Sequence, residues 1–191
     1  MKVDSLALNT EHFVIEHLLD SPSNRQLIAG FVAPNNARGL ESYIKLQAEH
    51  DEVGNGSRTY LVKDATTGML ACYFSLRTGL VAVRREDDLF DTIPGVELAN
   101  FAVNESYRYS GAKVSKVGGY VFRRFILPIV KNIADLVGAQ CLYIYALPEE
   151  KLIQYYGSLG FARLPSDMES FVYSHVKPAY DQGCVFMYQE L

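Results

Sequence analysis

The chain has 191 residues, of which 49% are hydrophobic and 21% charged, with a formal net charge of −4. That length suits one domain with a substantial core, and the composition excludes a disordered chain. The acidic balance excludes nonspecific nucleic-acid binding by the whole surface.

No apolar run reaches membrane-spanning length, and the N-terminal MKVDSLALNTEH lacks the hydrophobic core of a signal peptide. A cytoplasmic protein with no membrane partner is expected. Cys72, Cys141 and Cys184 stand far apart with no CxxC pair, which favours buried free thiols over a disulfide or a zinc site. The four histidines, His12, His17, His50 and His175, have no metal-ligand spacing, so no metal is expected.

In chain order, 13–19 (FVIEHLL) reads as a strand from its β-branched and aromatic residues. A short helix over 24–32 stops before Pro34, and apolar spacing predicts one amphipathic helix over 37–52. Segments 58–63 (RTYLVK) and 69–76 (MLACYFSL) form a hairpin around 64–68, with 78–83 continuing the second strand. Segment 84–92 is a charged connection, and Pro94–Gly95 opens the next strand.

That strand, 96–103 (VELANFAV), carries one charge, Glu97. A carboxylate in a strand expected to be central and buried is either paired or functional. A turn through 107–113 (YRYSGAK) follows, then a helix to Val137 with its apolar stripe at Val114, Val117, Val121, Phe125, Ile129 and Ile133. Pro128 should kink that helix and Gly138 should end it. Segment 140–145 (QCLYIY) is a buried strand, 149–157 a short helix, and the tail holds two or more strands including 184–189.

Between Ser106 and Ala134 no residue is acidic, while Arg108, Lys113, Lys116, Arg123, Arg124 and Lys131 all fall there. Such a run suits a phosphorylated ligand or, equally, a solvated helix face. Arg108-x-x-Gly111-x-Lys113, between a strand and a helix, has the make-up of a phosphate cradle, because glycine admits close backbone approach and a helix start favours negative charge. An ordinary glycine-containing turn is the alternative.

LANFAVNESYR (98–108), GAK (111–113), LYIYAL (142–147) and LIQYYGSLGF (152–161) together resemble the GNAT superfamily of acyl-CoA N-acyltransferases. With RTYLV, ACYFSL and EEKLIQYYGSLGF, the chain is most similar to the acetyltransferase toxins of bacterial toxin–antitoxin pairs and their relatives. The likeness covers roughly residues 40 to 165 and is specific at its C-terminal motif.

The resemblance implies one domain, 1–191, of the GNAT fold: a mixed, mostly antiparallel sheet, splayed at its middle, with helices on both faces. It implies acetyl-CoA as cosubstrate, held by Arg108, Gly111, Ala112, Lys113 and Lys116 at the pyrophosphate and by Phe101, Ala102 and Val103 along the pantetheine arm. Lys113 stands where the family has Gly or Ala, and the longer segment before the helix implies an extended turn. Tyr156 matches the tyrosine of the family's YxxxGF motif as general acid, and Glu97 matches the strand position of a general base, used where no water relay serves. Asn100 and Asn104 read as orienting groups for water or substrate, or as bulge and turn residues.

Direct attack on the thioester needs neither a metal nor an acetyl-enzyme. The implied acceptor is a primary amine, the α-amine of aminoacyl-tRNA in the toxin-like reading, with an antitoxin and a homodimer as implied partners. A small-molecule or protein amine suits the acidic charge better, and a non-catalytic acyl-CoA-binding module is the third reading.

Overall fold

The computed structural model describes residues 8–85, 89–109, 114–175 and 183–191. Its strands are β1 (Phe13–His17), β2 (Arg58–Asp64), β3 (Leu70–Arg84), β4 (Phe90–Val103), β5 (Cys141–Ala146) and β6 (Val185–Glu190). They follow one another across one six-stranded sheet in the order β1-β2-β3-β4-β5-β6. The β1/β2, β2/β3 and β5/β6 pairs are antiparallel, and β4/β5 is parallel. The helices are α1 (Asn24–Ala29), α2 (Arg38–Leu46), α3 (Ala48–Val53), α4 (Glu105–Tyr109), α5 (Val117–Val121), α6 (Leu127–Val137), α7 (Glu150–Ser158) and α8 (Ser166–Ser174).

The chain forms two compact units, Met1–Arg77 with Asn100–Ile129 and Thr78–Ala99 with Val130–Leu191. β3, β4 and α6 pass from one to the other. In the first, Leu18, Ile28, Phe31, Ile44, Leu61 and Tyr73 share a core, and the Tyr73 hydroxyl donates to the Leu40 carbonyl at 2.6 Å. The helix expected over 37–52 is two helices, broken at Gln47. After the break, the buried Glu52 carboxylate accepts the Thr59 N–H at 2.6 Å, with His17 Nδ1 at 3.6 Å and Arg58 Nη1 at 3.7 Å. The bend thus places a carboxylate on a strand start, a constraint that apolar spacing does not register.

The second unit gathers Val81, Cys141, Tyr143, Val172 and Phe186. Here α8 stands in the tail, where two or more strands were expected. Among the described residues the tail holds one strand, β6, and an isolated bridge from Ala162 to Tyr188. Polar contacts from α8 fix it. The Tyr173 hydroxyl accepts the Phe186 N–H at 2.7 Å and shares its proton between the Cys184 carbonyl at 2.6 Å and Glu169 Oε1 at 3.0 Å. Arg163 Nη2 meets Glu169 Oε2 at 2.7 Å.

β4 begins at Phe90, ahead of Pro94. Proline lacks an N–H and is excluded from paired strand interiors. Pro94 is tolerated because the β5 register starts one residue later, at Gly95↔Cys141, and its carbonyl accepts the Gln140 N–H at 2.8 Å. Between α5 and α6, Phe122–Ile126 is a π-helical turn. It lies just before Pro128, whose ring would crowd the carbonyl four residues back in a regular helix, so the expected irregularity is a widened turn. Gly138 ends α6 at φ +78°, its N–H on the Ala134 carbonyl at 2.8 Å, as expected.

All three cysteines are buried and free. No helix among the described residues is long and apolar enough to cross a membrane.

A Cβ on Gly95 would lie 2.8 Å from Cys141 Sγ and 3.0 Å from the Cys141 carbonyl oxygen. Gly95→Ala therefore destabilises the protein by about 1–3 kcal/mol, read from the midpoint of urea unfolding. An unchanged midpoint would mean that β4 and β5 do not approach this closely.

Candidate active site

The parallel register of β4 on β5 covers Gly95↔Cys141, Val96↔Leu142 and Glu97↔Tyr143, and there it ends. β4 itself runs on to Val103. Residues 98–103, which include Phe101, Ala102 and Val103, lie beyond that register and have no β5 partner in it.

Asn104 closes the strand. It is 4% exposed: Nδ2 donates to the Leu70 carbonyl at 2.8 Å, and Oδ1 accepts the N–H groups of Val32 and Ser106, each at 3.2 Å. The Asn104 N–H donates to Ala71 and its carbonyl accepts from Arg108. Of its two sequence readings, the turn residue is the one observed: Asn104 caps α4 and ties the end of β4 to the start of β3.

α4 carries Tyr107 and Arg108. Tyr107 is 2% exposed and donates to Asp64 Oδ2 at 2.7 Å. Asp64 Oδ1 takes the N–H groups of Thr66 and Thr67 at 2.9 and 2.8 Å. Its carboxyl is thus held down to about 2, chiefly by Tyr107 and then by the turn amides, while burial and the neighbouring carboxylate push the Tyr107 phenol up. Arg108 is exposed and makes no ion pair among the described residues. It sits on a helix, whereas the sequence placed it in a turn.

Gly111, Ala112 and Lys113 lie outside the described residues. Lys116, exposed, stands at the start of α5 in the left-handed conformation, φ 56° and ψ 50°. A side chain there costs roughly 1 kcal/mol, and such outliers collect at functional turns.

The two residues expected to act on protons lie in the second unit. Glu97, 7% exposed on β4, is the last residue of the β5 register. Tyr156 on α7 is 8% exposed, edge-on to Phe161 at a ring distance of 5.6 Å and beside Tyr155 at 5.5 Å. Gly160, at φ +99°, turns the chain back so that the Phe161 N–H reaches the Tyr156 carbonyl at 3.1 Å. Burial, with a smaller contribution from Tyr155, pushes the Tyr156 phenol well above its ordinary value, so it is protonated at neutral pH.

Sequence reading missed Tyr107 and Asp64 as a pair. The available signal was Asn104 followed by Glu-Ser-Tyr, which has the make-up of a helix start rather than of a turn.

The chain matches no protein-family model and no curated protein sequence. Its likeness is to solved structures. A mutant of the toxin AtaT bound to the C-terminus of the antitoxin AtaR and acetyl-CoA superposes with a TM-score of 0.65 at 19% identity, over 93% of this chain and 92% of that one. A mutant of KacT gives 0.63 at 19% identity, over 94% and 95%. AtaT complexed with acetyl-methionyl-tRNAfMet gives 0.63 at 19%, over 91% and 93%. At these identities the likeness establishes the fold: the chain has the GNAT fold that its motifs resemble.

Asp64 also sets a pH dependence. Its folded value, about 2, lies below the ordinary carboxylate value near 4. The stability it contributes is therefore present above about pH 4 and is lost as pH falls towards 2. Urea unfolding across that range should show wild type more stable than Asp64→Asn at pH 6, with the gap closing towards pH 2. A gap that persists at pH 2 would contradict the assignment.

Proposed function

We propose that the protein is an N-acetyltransferase that moves the acetyl group of acetyl-CoA to the α-amine of an aminoacyl-tRNA, in the manner of a toxin. The observation that carries the acyl-CoA reading is β4 running past Glu97 to Val103 without a β5 partner. In this reading the pantetheine amides hydrogen-bond the backbone at Phe101, Ala102 and Val103. The pyrophosphate takes Arg108, Lys116 and the turn of Gly111, Ala112 and Lys113. Two exposed cations, one of them without an ion pair among the described residues, suit such an anion. The whole chain, 1–191, acts as one such domain.

The chemistry is direct transfer. Glu97 takes a proton from the ammonium, directly or through water, because only the neutral amine attacks. The nitrogen lone pair forms the bond to the thioester carbonyl carbon, and backbone N–H groups of β4 stabilise the oxyanion. The C–S bond then breaks, the Tyr156 phenol gives its proton to the departing CoA thiolate, and the proton that the attacking nitrogen loses on becoming an amide restores the phenol.

The acceptor rests on AtaT, solved with acetyl-methionyl-tRNAfMet, and on the basic residues from Arg108 to Lys131, a stretch with no acidic residue. An antitoxin partner follows from AtaT bound to AtaR, and the cytoplasm is where such an acceptor is met. A homodimer completes the assembly. The net charge of −4 favours a second reading, a small-molecule or protein amine as acceptor.

Two assays test this. With labelled acetyl-CoA, the wild type should acetylate charged tRNA, and its expression should arrest growth. Tyr156→Phe should lower kcat by roughly 10²–10⁴-fold while acetyl-CoA binding persists. Full turnover in Tyr156→Phe removes the acid assignment. Label on small amines with none on charged tRNA, and no growth arrest, selects the second reading.

A further inference from the structure

We propose that Tyr107, held by Asp64, is a positioning residue for phosphate recognition: it fixes the rotation of α4 and so the direction of Arg108. This rests on the acetyl-CoA reading above. A helix as short as Glu105–Tyr109 cannot hold itself, since helix nucleation is unfavourable and propagation recovers little over one turn. Its position must come from tertiary anchors, among them the Glu105 N–H on the Val32 carbonyl at 2.9 Å. Asn104 pins its start through the Leu70 carbonyl and the Val32 and Ser106 N–H groups. Tyr107 pins its rotation.

Asp64 is well suited to hold Tyr107. One carboxylate oxygen is committed to Thr66 and Thr67, which fixes the group in the β2–β3 turn, and the other receives the Tyr107 hydroxyl at 2.7 Å. The Tyr107 ring also meets Phe13 edge-on at 6.2 Å. Neighbouring residues on a helix point about 100° apart. With Tyr107 turned inward and buried, Arg108 is turned to solvent, as observed. A charged partner makes this hydrogen bond stronger than a neutral one.

The test is a set of three variants, Tyr107→Phe, Asp64→Ala and the double, assayed for acetyl transfer. Each single variant should raise the KM for acetyl-CoA roughly tenfold, about 1.4 kcal/mol, with kcat and the acceptor KM unchanged. The double should be no worse than the worse single, because both remove one interaction. A lowered melting temperature with an unchanged KM would mean that the contact is structural only, and would overturn the proposal. If the wild type binds no acetyl-CoA, the reading beneath it has failed, and amide exchange then judges the clamp alone. Faster exchange at 106–109 in Tyr107→Phe keeps the clamp, and unchanged exchange removes it.

Discussion

The end of the β4–β5 register at Glu97↔Tyr143 is the constraint on which the rest of the protein depends. A parallel pair needs close backbone approach, and Gly95 permits it by leaving no Cβ against Cys141. Past Glu97 the pairing stops, and backbone groups that would have completed a ladder are left to other partners. An open strand edge in the interior of a sheet order is a liability unless something fills it. The acyl-CoA reading supplies that partner, and it places the carboxylate of Glu97 at the last paired residue.

Most of the polar side chains around the end of β4 are committed to holding the structure. Asn104 is buried and holds Leu70, Val32 and Ser106 through its side chain, which makes it a structural tie. Asp64 and Tyr107 are satisfied by each other and by the hairpin turn. Arg108 differs: it is exposed beside that anchored set. Rigid support beneath a solvated cation is what pre-organised anion binding requires, because little side-chain and loop freedom then remains to be lost.

Much of this was legible in the sequence, and the gaps have physical causes. β1, the β2–β3 hairpin, β5 and α7 announce themselves through alternation, turn residues and apolar spacing. α8 does not: SDMESFVYS is rich in residues that suit either state, and the contacts that fix it, to Arg163, Cys184 and Phe186, lie outside its own window. The break at Gln47 serves a buried carboxylate on a distant strand start, and the strand around Pro94 is permitted only by where β5 begins. At the candidate site, Tyr156 is named by its motif, and its burial on α7 is a feature that the motif alone does not register. Arg108 was singled out as a cation in a turn after β4, and the reading missed that it stands on a helix anchored by Asn104 and Tyr107.

The most direct measurement is calorimetric titration of acetyl-CoA into the wild type and into Arg108→Glu. The account predicts stoichiometric binding by the wild type, weakened at least tenfold by the charge reversal, with the fold intact by circular dichroism. Binding that is indifferent to Arg108 would move the pyrophosphate elsewhere. No binding by the wild type would contradict the acyl-CoA reading and leave a GNAT fold serving another purpose.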